Sequence, residues 1–202
     1  QDFINNALDY FQPEQEMFDH GEVNDQTNWK LLTETLLEGY HIKSLHKKTF
    51  FPYGLDNINL VETFGPNSRV IFPFRRIEKL RTLKPEDRKI EGTVTKVYHL
   101  FPNASISMLS KHSNLTVMEP IAPNEVKTIT YSMVNLNSSG KIISHEDAKK
   151  DLKFVNEQGQ SEDREAARAI FETVTAKANS HLTFGYFEKA IVNFHQHLTK
   201  ML

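Results

Sequence analysis

Residues Asn28–His46 read NWKLLTETLLEGYHIKSLH, and the rest of the chain is organised around them. Trp29, Leu32, Leu36 and Tyr40 recur at steps of three, four and four, one apolar face of a helix that Leu31 and Leu37 widen. Thr27 or Asn28 can cap its first free amides, and the pattern predicts a helix running to about Ser44. Gly39 inside it costs roughly 1 kcal/mol against alanine, which points to a tight backbone approach. Glu38 precedes His41 by one turn, and His46 follows five residues later. On an ideal helix a five-residue step leaves two side chains about 140° apart. His41 and His46 therefore reach one metal only where the helix ends or bends between them. Spacing alone leaves a metal pair and two unrelated histidines both open, and Glu38 by itself reads as a solvated surface acid.

Downstream the pattern changes. LVETF, SRVIFPF, GTVTKVYHLF, ASISMLS, NLTVMEPI and VKTITYSMV, between Phe50 and Val134, are short runs rich in β-branched and aromatic residues. Turn signals separate them at Gly54, Gly65-Pro66-Asn67, Pro102-Asn103, Ser113-Asn114 and Pro120 to Asn124. Alternation such as Thr128, Thr130, Ser132 against Ile129, Tyr131, Met133 is the habit of antiparallel strands with one polar face. A charged, helical insertion, Arg75 to Arg88, interrupts the run. Asn137-Ser138-Ser139-Gly140 reads as a turn. SEDREAARAIFETVTAKAN then carries an apolar stripe of Ala167, Ile170, Val174 and Ala178, with Ser161 as N-cap and Glu162, Asp163 and Glu165 where acids suit the helix dipole. A last helix presents Phe187, Ile191, Phe194 and Leu198 on one side. Before Asn28, residues 1–27 read as an N-terminal arm or linker with one short helical turn, Asn5 to Phe11, ended by Pro13. The whole is an α+β domain, an antiparallel sheet with segregated helices.

Composition limits the chemistry. There is no cysteine among 202 residues, so disulfides, thiolate nucleophiles and thiolate-bound metals are excluded, and any metal depends on nine histidines and 26 acidic residues. That count fits a reducing, cytoplasmic setting. A net charge of -2 gives no general pull towards nucleic acid or an anionic membrane, and no apolar run approaches the roughly 18–20 residues that span a bilayer. The chain opens at Gln1 rather than methionine, which reads as a processed or trimmed start.

The run Asn28-Trp29-Lys30, Glu38, His41 and His46 resembles the catalytic-domain motif of Rieske-type non-haem iron oxygenases, the large-subunit family of ring-hydroxylating dioxygenases and related monooxygenases. The resemblance continues in order through Val97 to Asn103, the Glu162-Asp163-Arg164 stretch and Phe184-Gly185-x-x-Glu188, covering residues 28–202 as the mononuclear-iron catalytic domain. It implies a helix-grip fold and a facial triad on Fe(II), with His41, His46 and Asp163 as ligands and Glu162 as the less favoured substitute for Asp163. It implies that Glu38 bridges a ligating histidine to the Rieske cluster of a neighbouring subunit in a homotrimer. Thr35 stands where many relatives have Asn. A Rieske [2Fe-2S] cluster needs two cysteines, so that cluster is expected on a separate domain or chain, with a reductase behind it. The reaction implied is hydroxylation of an aromatic or other organic substrate with O2, as in aromatic hydrocarbon catabolism, and these residues alone should not sustain repeated turnover.

Other signals are softer. Phe50, Phe51, Phe72, Phe74 and Met108 are candidates for an apolar substrate pocket, though aromatics in strand runs are more often core. His99 reads as structural, and His195 and His197 carry no chemistry. Arg75, Arg76, Lys79 and Arg81, balanced by Glu78, Glu86 and Asp87, read as a solvated face. Two rivals remain: a non-catalytic helix-grip module enclosing an apolar ligand, and a zinc hydrolase using the same three ligands.

Overall fold

Each of the six β-rich runs is a strand, and a seventh strand joins them at one edge. In chain order these are β1 (Met17–Asp25), β2 (Leu60–Phe64), β3 (Asn67–Pro73), β4 (Val94–Leu100), β5 (Ala104–Met108), β6 (His112–Ala122) and β7 (Glu125–Val134). They form one antiparallel sheet in the order β1-β7-β6-β5-β4-β3-β2. The structure is a computed structural model that describes Phe3, Ala7 and residues 11–202, apart from Ser138, Ala178 and the side chain of Gln158. The helical turn expected from Asn5 to Phe11 lies outside the described residues except for Ala7 and Phe11, and the turn at Asn137 to Gly140 is described except at Ser138.

Met17–Asp25, expected as linker, is instead the edge strand β1, paired with β7 from Met17↔Met133 to Asp25↔Val126. An edge strand has one neighbour and a mostly wet surface, so MFDHGEVND lacks the apolar alternation that marks a half-buried strand.

The helices are α1 (Trp29–Thr35), α2 (His41–Ser44), α3 (His145–Phe154), α4 (Ser161–Thr175) and α5 (Lys189–Thr199). Arg75–Thr82 and Pro85–Asp87, the charged insertion, are 3₁₀ helices. Asn28 caps α1 by accepting from the Lys30 amide at 3.0 Å, whereas Thr27 is buried and donates to the Ala167 carbonyl at 3.0 Å. The single long helix expected to Ser44 is broken: α1 stops at Thr35, and a bend over Leu36–Tyr40 leads into the four-residue α2. Leu37, within that bend, is 0% exposed. It packs in a cluster with Val70, Ala190, Ile191 and Phe194, against which Trp29 of α1 also packs. Nor is Gly39 a close approach, since an added Cβ would make ordinary contact with Phe72 at 3.5 Å.

α3 runs into α4 through a π-helical turn, Val155–Gln160, without leaving the helical region. Ser161 is therefore not an N-cap. Its hydroxyl donates back to the Glu157 carbonyl at 2.8 Å, inside a continuous rod. The stripe expected on α4 is only partly apolar in use: Ala167 is buried, but Ile170 and Val174 are each 47% exposed, and Ala178 lies outside the described residues.

Helices cover one face of the sheet. Leu32 of α1 and Ala167 of α4 pack on Met118 and Val126, and α5 packs Ile191 and Phe194 against Val70. On the other face Tyr98 and Ile106 pack against Phe3 and Ala7. This is the α+β arrangement that the pattern predicts. Among the described residues no helix is long and apolar enough to cross a membrane.

Candidate metal centre

Helix α2 ends at Ser44, between the two histidines, and the chain turning there brings them together. Their rings lie 5.0 Å apart, and His41, His46 and Asp163 each direct one donor atom to a common point, all within 4.8 Å of one another. His46 lies beyond α2 and Asp163 in the first turn of α4, so two separate elements build the cluster. Helix α4 is held in place from β1, where Arg164 pairs with Asp25 at 3.3 Å, and from Thr27 through Ala167.

Each imidazole is oriented from outside by a carboxylate. His41 Nδ1 bonds to Glu38 Oε1, and Glu38 Oε2 also accepts from the Tyr40 amide. His46 Nδ1 donates to Glu162 Oε2 at 2.7 Å, and the same oxygen accepts from Thr49 Oγ1 at 2.7 Å. A carboxylate only accepts, so these contacts put the ring proton on Nδ1 and leave the Nε2 lone pair facing inwards. Glu162, weighed as a substitute ligand, is thus on the outer nitrogen of His46. Successive residues of a helix point about 100° apart, so Glu162 and Asp163 take opposite sides of one imidazole.

Inside, Asp163 Oδ1 lies 3.0 Å from His46 Nε2 and 3.5 Å from His41 Nε2. It is buried, and among the described residues it has no partner besides these two nitrogens. Burial opposes charge on His46, yet the Asp163 and Glu162 carboxylates beside it prevail and lift the imidazole above its ordinary value. For Glu162, burial acts upward, but the donors His46 and Thr49 hold the carboxyl below its ordinary value. With both rings neutral the three inward atoms are all acceptors, which repel unless a proton or a metal cation sits among them. Two imidazole nitrogens and a carboxylate oxygen are a donor set that suits Fe(II) and also zinc.

The cluster opens onto a cavity of about 560 Å³ with largely apolar walls. Phe50, Phe72 and Phe74 line it as expected, joined by Leu55, Phe154 and Val155, while Met108 packs elsewhere, against the Tyr98 cluster. Phe51 lies instead beneath the Arg75 guanidinium. The Phe50 ring also sits 4.7 Å from that of His46, so it belongs to cavity and cluster at once. Gly159, buried in the π-helical turn, makes room for it: a Cβ there would fall 1.9 Å from Phe50 Cζ. At Gly185 a Cβ would fall 2.8 Å from the ring of Tyr40, the residue before His41.

The other histidines stay out of the cluster. His99 is buried, its Nε2 on the Pro102 carbonyl at 3.1 Å, and His195 pairs with Glu34 at 2.7 Å. Thr49, Gly159 and the outer role of Glu162 escape sequence reasoning. The adjacency of Glu162 to Asp163 was a usable signal, but nothing in the sequence points to Thr49 or Gly159.

A single sheet carrying a His-His-Asp cluster beside an apolar cavity defines, as a class, an α+β domain able to hold one metal ion next to an organic molecule. The ring hydroxylating alpha subunit (catalytic domain) family matches residues 16–202, and the chain belongs to that family. By sequence, no curated protein matches it. Among solved structures the fold is similar to the quaternary ammonium Rieske monooxygenase CntA, with a TM-score of 0.69 and 14% identity over 93% of this chain and 50% of that one. It is similar to naphthalene 1,2-dioxygenase from Rhodococcus sp., with a TM-score of 0.67 and 16% identity over 98% of this chain and 59% of that one. It is also similar to dicamba monooxygenase, with a TM-score of 0.66 and 13% identity over 94% of this chain and 59% of that one. The chain thus spans about half to three-fifths of the length of these three proteins.

Proposed function

We propose that these residues are the oxygen-activating half of a Rieske-type oxygenase, in which His41 Nε2, His46 Nε2 and Asp163 hold one Fe(II). The observation that carries this reading is the convergence of the buried Asp163 Oδ1 on the two inward imidazole nitrogens, at 3.0 and 3.5 Å. Iron bound there would supply the redox chemistry for hydroxylating an organic substrate with O2. The electrons would come from a reductase through a Rieske [2Fe-2S] cluster on another domain or chain.

The chain's own residues do the rest. Glu38 and Glu162 fix the tautomers that free both Nε2 atoms. Phe50, Phe72, Phe74 and Phe154 exclude water and hold an apolar substrate beside the cluster. Glu38 is the electron-transfer bridge: its carboxylate is bonded to His41 and also lines the cavity, which gives a bonded route to the metal. Homotrimeric assembly, with each cluster serving a neighbouring subunit, belongs to the same proposal.

Anaerobic Fe(II) titration followed by metal analysis is the test. About one iron per chain is expected, lost in His41→Ala and in Asp163→Ala. Iron binding that survives both substitutions overturns the triad. Oxygen uptake on addition of a Rieske donor and reductase is the second expected result. Ligand binding without uptake from any donor favours the non-catalytic module.

A further inference from the structure

Seven arginines occur in the chain, and they fall into two groups. Arg69, Arg81, Arg164 and Arg168 each pair with a carboxylate: Glu62, Glu78, Asp25 and Glu172 respectively. Arg75, Arg76 and Arg88 form no ion pair with an acid among the described residues, and of these three only Arg75 and Arg76 line the cavity. Their neighbours are neutral. The Arg75 guanidinium lies over the Phe51 ring at 4.5 Å, and its Nε donates to the Phe51 carbonyl at 3.1 Å. The Arg76 guanidinium lies over the Phe74 ring at 4.4 Å, with Nη2 3.5 Å from Ser110 Oγ. Stacking on ring faces holds both planes in set orientations while leaving most of their five donors unspent.

Arg75, Arg76 and Ser110 are exposed, whereas His46 and Asp163 at the cluster are covered. The cavity therefore has a wet, cationic lip and a dry, aromatic interior. Three acids line the same cavity, and each is engaged elsewhere: Glu38 with His41, Asp163 beside His46, and Asp151 with His112 Nδ1 at 2.9 Å and the Lys111 amide at 3.0 Å. Among the described residues no carboxylate pairs with the two guanidiniums at the lip.

We infer that this lip is an anion subsite: Arg75 and Arg76, with the Ser110 hydroxyl, bind a carboxylate on an otherwise apolar substrate whose body fills the Phe50–Phe72–Phe74 interior. This rests on the proposed function insofar as it takes the cavity for the substrate chamber. A planar carboxylate suits guanidinium donors, which can engage both of its oxygens. Arrival through the lip would leave the apolar end of the molecule towards the His-His-Asp cluster and the acid in water. The charged residues of Arg75–Thr82 are then of two kinds: Arg81 is a solvated partner of Glu78, and Arg75 and Arg76 select substrate.

Calorimetric titration of the metal-free chain with 2-naphthoate, 2-naphthamide and 2-naphthylmethylammonium tests this directly. The acid is expected to bind at least about tenfold more tightly than the amide, with the ammonium weakest. In Arg75→Met/Arg76→Met that advantage disappears, while affinity for the amide stays within about twofold, which also shows that the cavity is intact. Arg88→Met keeps the advantage, and Arg75→Lys/Arg76→Lys keeps part of it. Equal binding of acid and amide, no binding of the acid, or an acid advantage that survives in Arg75→Met/Arg76→Met overturns the subsite. Fe(II) titration of the same samples separates the two proposals. Acid preference without iron uptake removes the metal centre and leaves the subsite, and iron uptake without acid preference does the reverse.

Discussion

His46 and His112 are both buried, and each gives its Nδ1 proton to a carboxylate, Glu162 at 2.7 Å and Asp151 at 2.9 Å. Up to that point the two pairs are alike. They part at the other nitrogen. His46 Nε2 faces Asp163, with His41 across from it, and the three donor atoms share one point. His112 Nε2 is buried with no hydrogen-bond partner among the described residues, and the Phe18 ring stands edge-on to it at 6.3 Å. A histidine–carboxylate pair is therefore a local motif that serves structure or chemistry alike. What makes a candidate site is convergence of a second and third donor: His41, five residues away, and Asp163, from an element distant in the chain.

The largest effect that would sharpen this contrast is on metal affinity. Asp163→Ala should lower Fe(II) affinity by more than about 100-fold, a first ligand being worth more than its outer partner. His112→Ala should leave iron stoichiometry unchanged, and anaerobic titration of both variants decides the matter. Loss of iron from the His112 variant would break the comparison. Next comes the outer carboxylate: Glu162→Gln should weaken Fe(II) by roughly 10–100-fold, because His46 loses the acceptor that sets its tautomer. Asp151→Asn, the matching change at the other pair, should leave iron binding where it was.

Gly159→Ala should cost about 1–3 kcal/mol in chemical denaturation, the usual range for an overpacked core. Its added methyl overlaps Phe50, so it should weaken binding of an apolar probe as well. His112→Ala should cost a similar 1–3 kcal/mol, because a fully buried ring is removed and Asp151 loses one of its two donors.

The smallest effect concerns pH. Burial pushes the His99 imidazole below its ordinary value, only partly offset by the Pro102 carbonyl, so the folded chain resists a proton that the unfolded chain accepts. Stability should fall as pH drops below about 6.5, the ordinary histidine value. Denaturation midpoints across that window should show a shallower slope for His99→Gln.

Six strands were legible because alternation and turn chemistry act over a few residues, as in Thr128 to Met133 between its turns. β1 was not, since an edge strand leans on β7 for its hydrogen bonds and shows water most of its side chains. The bend at Leu36–Tyr40 was hidden too. Leu, Leu and Glu are good helix formers, and tertiary packing rather than propensity ends α1 where it does. At the candidate site, His41, His46, Glu38 and Asp163 could be named from their motifs, but the roles of Glu162 and Thr49 could not. Which side of an imidazole a carboxylate takes depends on the rotation of α4, and that is set through the π-helical turn and the Arg164–Asp25 pair.

The sequence by itself determined the class of fold and the family, and it named the three candidate donors, because periodicity and motif order are written in the chain. It also ruled out thiolate chemistry, because a residue type that is absent supplies no ligand. Only the tertiary structure decided that two histidines five residues apart on a predicted helix turn towards each other, and that Glu162 stands outside them while Asp163 stands within. The physical reason is the same in both cases. Local propensity sets what each segment can form, but tertiary packing sets where segments stop and which faces meet.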